Sequence, residues 1–413
     1  MKLAFVTPRY GAELVDGPEH ACRLLAERVG RRHDVDVLTT CARGDHGWRN
    51  DYHEGADNVR GVVVRRFAVN QTGAASLRQE PHSRADEIAW VDAQGPSSPG
   101  LMDYLKRQHR HYDALVFFSL QHATTVHGLA VAPERSVLFP HLQYEPALRF
   151  GLWGDLVSST RGVGLFSAAE RPLLHAFMPQ SGVFEEIVGM GMEPAPTVAY
   201  PRHQQDPNDV VRDEDAQVEE EPAEEDYLAG RGIPFRRRHR LYGPVALYAG
   251  RLAPDNGTEE LLEYFTRYTD GDRETSLVLM GPKLIKVPPH AQLRLAGVLP
   301  ARERVSAFEA ADVTIAPTSR DLLAQPVLES FAVGTPVLAS ARNAAAVDHC
   351  RRAGAGLYYA NGEEFAEALR AIMTNARLRE RLGACGRQYA REHLKWDAVL
   401  GRFERLIGRV KRS

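Results

Sequence analysis

Short apolar runs, each followed by a segment with helical spacing, recur along this chain in two separate series, and that rhythm limits the fold more than any single motif. In the first half Lys2–Thr7 reads as a buried strand and PEHACRLLAERVGRR as a helix opened by Pro18. HDVDVLTTCA and GVVVRRFAV follow as strands. After a helix at Leu101–Arg107 come the strands YDALVFF and SVLFPHLQ, with a loop and short helix, QHATTVHGLAVA, between them. VGLFSAAERPLLHAF repeats the strand-to-helix step, and GVFEEIVGMG ends this half. The second half restarts with PVALYAG, TEELLEYFTRY, SLVLMG, QLRLAGVL, ERVSAFEAA and DVTIAP, and the chain finishes as helices. Strands alternating with helices make parallel sheets covered on both faces, so two doubly wound α/β domains are expected.

The two series are separated by a change of composition. From Gln204 to Asp226 the chain is dominated by Asp and Glu, with Arg212 as its one base; RGIPFRRRHR then reverses the sign. So few apolar residues leave little to bury, and a weakly ordered insertion between domains is expected. The acidic and basic stretches either attract each other or are two solvated segments at a domain border. The expected division is 1–195 for the first domain, 196–240 for the linker, 241–390 for the second domain, and 391–413 for a helix crossing back to the first.

Composition excludes several classes. A net charge of −3 over 413 residues argues against a protein that coats nucleic acid. Cys22, Cys41, Cys350 and Cys385 show no paired short spacing, so neither a zinc site nor a disulfide framework is indicated, and a reducing cytosol is expected. No run of about 20 apolar residues occurs, and the apolar start of MKLAFVTPRY stops at Pro8, so a soluble chain, at most peripheral to a membrane's inner face, is expected.

Within the second series the stretch Ala316–Leu338, APTSRDLLAQPVLESFAVGTPVL, forms a strand, loop, helix, strand unit. Its carboxylates Asp321 and Glu329 lie eight residues apart. Ligands bind at such strand ends in open α/β sheets. Asp321 reads either as a helix cap or as a ligand-facing acid, and Glu329 either as a solvated helix residue or as a ligand group. Upstream, GRLAPDNGTEEL puts Gly250 and Arg251 after a strand and Gly257 before a helix, where a guanidinium and a helix N-terminus both suit a phosphate. Gly281 and Gly297–Val298 end the next two strands.

On these residues, and on TPRYG, SAAERPLL, AADVTIAPTSRD and VLESFAVGTPVLAS, the chain resembles the retaining glycosyltransferases of family 4, with the two-lobed GT-B fold. The resemblance implies a metal-independent hexosyl transfer from a nucleotide diphosphate sugar to a saccharide or lipid-linked acceptor, with no cofactor besides that donor. It implies that Arg251 holds the diphosphate, aided by Gly250, Gly17 and the loop at Leu322 and Leu323. Val298 would meet the base through its backbone, Glu329 the ribose, and Asp321 the donor sugar. Such departure of a diphosphate needs positive groups or oriented dipoles.

The chain departs from that family's pattern at five places, one of them the loop LLAQ before Pro326, which stands where the family has a small, glycine-containing loop and offers fewer unobstructed N–H donors. Asn256 stands where the family has a lysine, and a unit charge pair about 4 Å apart at an effective dielectric of about 20 is worth about 4 kcal/mol. Arg320, Lys283 and Lys286 are candidate replacements. Gln143 and Tyr144 in PHLQYEP stand in for a histidine and an aspartate, leaving Glu145 and Pro146, with His141 two residues earlier. Asp16 replaces a glycine beside Gly17, and Asp321 is a shortened glutamate. His122, His127, Trp48, Arg49 and Asn50, in loops, read either as structural residues, the commoner case for each alone, or as acceptor-side groups, a histidine base and an aromatic platform among them. Two readings therefore stand: an active transferase, and a degenerate GT-B protein that acts as binding partner of an active glycosyltransferase. A sugar-nucleotide epimerase on the same architecture is a third.

Overall fold

The structure, a computed structural model, describes residues 1–14, 17–44, 47–70, 83–178, 183–192, 232–318 and 321–411. Two sheets organise it. The first contains β1 (Lys2–Val6), β2 (Asp34–Thr40), β3 (Gly55–Val59), β4 (Val62–Phe67), β5 (Ala114–Phe118), β6 (Ser136–Phe139), β7 (Gly162–Leu165) and β8 (Phe184–Ile187). Their order is β3-β4-β2-β1-β5-β6-β7-β8, parallel except for the edge pair β3–β4. The second contains β9 (Val245–Ala249), β10 (Ser276–Met280), β11 (Leu293–Gly297), β12 (Val313–Ala316), β13 (Val337–Ser340) and β14 (Gly356–Tyr359), ordered β11-β10-β9-β12-β13-β14 and wholly parallel. Two doubly wound domains are thus observed, as the strand-helix rhythm predicts.

The strand runs follow from burial on both faces. Every residue of β5, β6, β9 and β12 is buried, which is why these strands read as unbroken apolar runs rather than alternations. By contrast β3, GADNV, is exposed along most of its length, and its sequence gave no strand signal because an edge strand needs little apolar surface.

The last helix, Trp396–Lys411, packs across β5, β6, β7 and β8 of the first sheet. Its Phe403, Leu406 and Ile407 join Phe5, Phe118 and Phe139 in one buried cluster that continues through Tyr389 to Phe331 of the second domain. Gly191 lies against the Trp396 ring so closely that a Cβ would sit 2.3 Å from it. Arg28 covers the same indole at 5.2 Å, and Arg405 pairs with Glu186. The chain therefore crosses between its sheets twice.

Of the expected linker, 196–231 lies outside the described residues. The basic segment after it is not merely solvated. Ile233–Arg238 is a helix, and Arg236 donates to the Ala310 and Gly243 carbonyls and to Asp312 at 2.8 Å, tying the helix to the start of β9. Arg238 pairs with Glu303 at 2.6 Å. Among the described residues, no helix is long and apolar enough to cross a membrane.

Candidate active site

In an open α/β sheet the crevice forms where neighbouring strands lead their connections to opposite sides. In the second sheet that point lies between β9 and β12. The segment after β9 carries Gly250 and Arg251, and the segment after β12 carries Asp321 and the helix Gln325–Val333. The two are in contact: a Cβ on Gly257, whose φ is +66°, would lie 2.9 Å from the Pro317 carbonyl oxygen. Tyr248, buried at the end of β9, senses both. Burial raises its phenol, the Asp321 charge adds to that rise and the Arg251 charge opposes it.

Backbone approach at this end of the sheet is unusually close. Gly250 N–H donates to Met280 O at 2.9 Å and Gly281 N–H to Gly297 O at 2.8 Å. A Cβ on Gly281, at φ +139°, would fall 1.9 Å from Gly250 O, so only glycine fits there.

Arg251 is partly exposed and forms an ion pair with Asp255 at 3.7 Å. Its carbonyl accepts from Tyr248 Oη at 2.7 Å and from Asn256 Nδ2 at 3.0 Å. Asn256 is thus engaged in closing the turn before the helix Thr258–Thr269. Lys283 and Lys286 are both exposed; Lys283 bridges Leu252 through its backbone. Val298 is 74% exposed just past β11.

Asp321 Oδ1 accepts from the Ala324 N–H at 2.9 Å, and Ala324 itself adopts φ +46°. The carboxylate therefore closes the turn before the helix; the N-cap is Ala324, and no side chain among the described residues caps the helix. Leu322 and Leu323 bury their side chains, while their backbone N–H groups donate to no acceptor among the described residues. Glu329, one turn into the helix, is gripped by Arg304: Nε donates to Oε1 at 2.8 Å and Nη2 to Oε2 at 2.5 Å. No motif pointed to Arg304, because nothing in its own helix, Ala301–Ala310, marks one face as ligand-facing.

In the first sheet the equivalent point lies between β1 and β5. Gly17, at φ +76°, starts the helix Gly17–Val29, and Glu19 in its first turn pairs with Arg9 at 3.1 Å. Asp16 and Arg320 lie outside the described residues. Beyond β5, Ser119 at φ +68° places its hydroxyl 2.8 Å from His122 Nδ1. Beyond β6, His141 adopts φ +57°, and its Nδ1 is enclosed with no hydrogen-bond partner among the described residues. Burial pushes this imidazole down to about 4; the Glu19 charge opposes that shift and His122 adds to it. His141, His122 and Glu19 thus share the first sheet's crevice. Tyr144 instead points outward at 71% exposure, against Phe177. Glu145 accepts a hydrogen bond from Gln121 Nε2.

Three of the acceptor-side candidates take the structural reading. Trp48 is 5% exposed, donates Nε1–H to Gln94 O at 2.6 Å and packs with Ala42 and Val69, so its ring offers no platform. Asn50 pairs both ways with the Val69 backbone, at 2.8 and 3.0 Å, as an extra rung beside the sheet. His127 is exposed and faces Asp92 at 2.6 Å. Arg49 is exposed.

The pair of doubly wound sheets with facing crevices defines the GT-B architecture. Residues 233–389 match the family of glycosyl transferases group 1. Over the whole chain the structure is similar to that of Anabaena Alr3699/HepE in complex with UDP and glucose, at TM-score 0.65 and 13% identity over 99% of both chains. It is also similar to WaaG, a glycosyltransferase involved in lipopolysaccharide biosynthesis, at 0.61 and 15% over 98% of this chain and 100% of that one. The α,α-trehalose 6-phosphate synthase of Burkholderia multivorans matches at 0.66 and 12%, over 100% and 97%. At such identities the likeness is one of fold.

Proposed function

We propose that this protein transfers a hexose from a nucleoside diphosphate sugar to a saccharide or lipid-linked acceptor, with retention and without a metal. The observation that carries this reading is the meeting, at the switch point between β9 and β12, of the Arg251 segment with the turn that leads into the helix Gln325–Val333, where the Leu322 and Leu323 N–H groups donate to no acceptor among the described residues. A guanidinium and helix-end donors stabilise the charge that builds on a departing diphosphate.

In this reading the diphosphate lies between Arg251 and the Leu322–Leu323 turn, with Gly250 and Gly281 allowing the backbone close. The base rests on the strand end at Val298, and Glu329, aimed by Arg304, receives the ribose. Asp321 holds the loop and faces the sugar. His141, rather than Gln143, supplies the imidazole on the opposite side: neutral at physiological pH, and with Nδ1 enclosed, it offers Nε2 to a sugar hydroxyl. The leaving phosphate takes the acceptor's proton. UDP is the first donor nucleotide to try, since the HepE structure holds UDP and glucose. Cytoplasmic action on the inner face of a membrane fits an acceptor of this kind.

One observation favours the alternative of a non-catalytic GT-B subunit. Asn256 is committed to the Arg251 carbonyl and Glu329 to Arg304, so two groups at the crevice are already satisfied. Release of nucleoside diphosphate from UDP-hexoses, with and without saccharide acceptors, separates the readings. Turnover lost on Arg251→Ala supports the enzyme; donor binding with no turnover for any acceptor supports the subunit.

A further inference from the structure

At the opposite end of the second sheet from Gly250, Gly281 and Gly297, where β9, β10 and β11 begin, the surface holds a concavity of about 540 Å³. Three arginines from three separate segments converge on it. Arg240 follows the helix Ile233–Arg238 in a left-handed conformation, φ +53°; Arg273 comes from the loop before β10; Arg294 comes from the edge strand β11. Arg294 is anchored by Nη1 donating to the Ala291 and Leu293 carbonyls. Tyr242 stands on the rim at 89% exposure, the most exposed of the large apolar side chains among the described residues, and Asp270, Glu274, His290 and Gln292 also line the wall.

This set is selective in its chemistry. A bare polyanion would meet the repulsion of Asp270 and Glu274, whereas a neutral sugar would leave three guanidiniums facing it without an anion. An exposed tyrosine ring accepts the C–H face of a pyranose, carboxylates accept sugar hydroxyls, and guanidiniums grip a phosphate or carboxylate in bidentate fashion. The volume lies within the range of small-molecule sites.

We propose that this concavity binds a sugar ring bearing a phosphate or carboxylate group, at a site separate from the crevice between the sheets. The inference does not depend on the transferase reading. The site lies where the helix Ile233–Arg238 leads through Arg240 and Tyr242 into β9, so occupancy would be felt by Arg240 and the helix before it.

The test is calorimetric titration of the full chain with glucose 6-phosphate, glucuronate, glucose and inorganic phosphate. One or both anionic sugars should bind, glucose and phosphate at least about tenfold more weakly, and the stronger of the two names the anionic group. Arg240→Ala with Arg273→Ala should weaken binding about tenfold or more. Tyr242→Ala should weaken it several-fold while Tyr242→Phe, which keeps the ring, should not. Asp321→Asn, in the crevice, should leave it unchanged. Neither anionic sugar binding at about 10 mM, inorganic phosphate binding as tightly as the sugars, or equal binding by the double arginine variant would overturn the assignment. Loss of binding on Asp321→Asn would place the sugar in the crevice instead.

Discussion

Arg304 and Glu329 face each other across neighbouring helices with two parallel N–H···O bonds, their side chains 28% and 16% exposed. A fork-to-fork pair of this kind fixes a carboxylate's direction as well as its charge. Arg304→Ala leaves Glu329 half-buried with its partner gone and should cost about 1–2 kcal/mol in urea unfolding. It should also weaken nucleotide binding several-fold, because the ribose would meet a carboxylate free to turn. Unchanged nucleotide affinity in Arg304→Ala would confine the pair to a structural role.

The Gly281 position offers a harsher test of the crevice backbone. Since a Cβ there would meet Gly250 O at 1.9 Å and the residue sits at φ +139°, Gly281→Ala should destabilise the second domain by about 2 kcal/mol or more. Gly297→Ala is a useful contrast, for it has the same kind of φ, +69°, but open space around it, and should cost less. Thermal melting of the two variants orders them.

Glu170 ties two strand ends together. Its carboxyl is wholly buried and accepts from the backbone N–H groups of Leu142, Phe166 and Ser167 at 2.9, 2.7 and 3.1 Å. Burial raises it from 4.5 to about 7, against those three donors. The folded protein therefore holds this proton more tightly than the unfolded chain between those values, and the group's contribution to stability falls as pH rises through that window, by about 3 kcal/mol in total. Buried His141 and His349, each lowered to about 4, act in the opposite sense: the folded state resists protonating them, so they lose stability as pH falls from 6.5. The carboxyl's share is therefore read as the difference between wild type and Glu170→Gln. That difference should shrink from pH 4.5 to 7 and then level off; a difference independent of pH would contradict the burial argument.

Much of the fold was legible because parallel strands buried on both faces announce themselves as apolar runs, as β5 and β9 do. The exposed edge strand β3 and the helix Arg84–Gln94 lacked that mark. At the site, Gly250, Gly281 and Gly257 could be read in advance, since close backbone approach admits few residue types. Side-chain partnerships could not. Asp321 on the Ala324 N–H and Asn256 on the Arg251 carbonyl depend on the exact turn geometry, and Arg304 on Glu329, 25 residues away, on which helix faces which. In sequence Trp48 is open between a structural role and a sugar platform, and its burial with Ala42 and Val69 decides for the first. His141 gained weight through its left-handed backbone, a feature that a histidine in sequence does not disclose.

The phosphate-binding role of Arg251 is sensitive to its neighbour. Because Asp255 stands 3.7 Å from the guanidinium, Asp255→Asn should leave nucleotide affinity equal or slightly higher by freeing the cation. A marked loss in that variant would mean that Asp255 positions Arg251 rather than competing for it.

The central claim is that a nucleoside diphosphate sugar binds at the switch point between β9 and β12. The most direct measurement is calorimetric titration of UDP-hexoses into wild type and Arg251→Ala. Binding to wild type that weakens by about tenfold or more in Arg251→Ala is the predicted result, since a charged contact to phosphate is being removed. Failure of any nucleotide sugar to bind at millimolar concentration, or binding indifferent to Arg251, would contradict it.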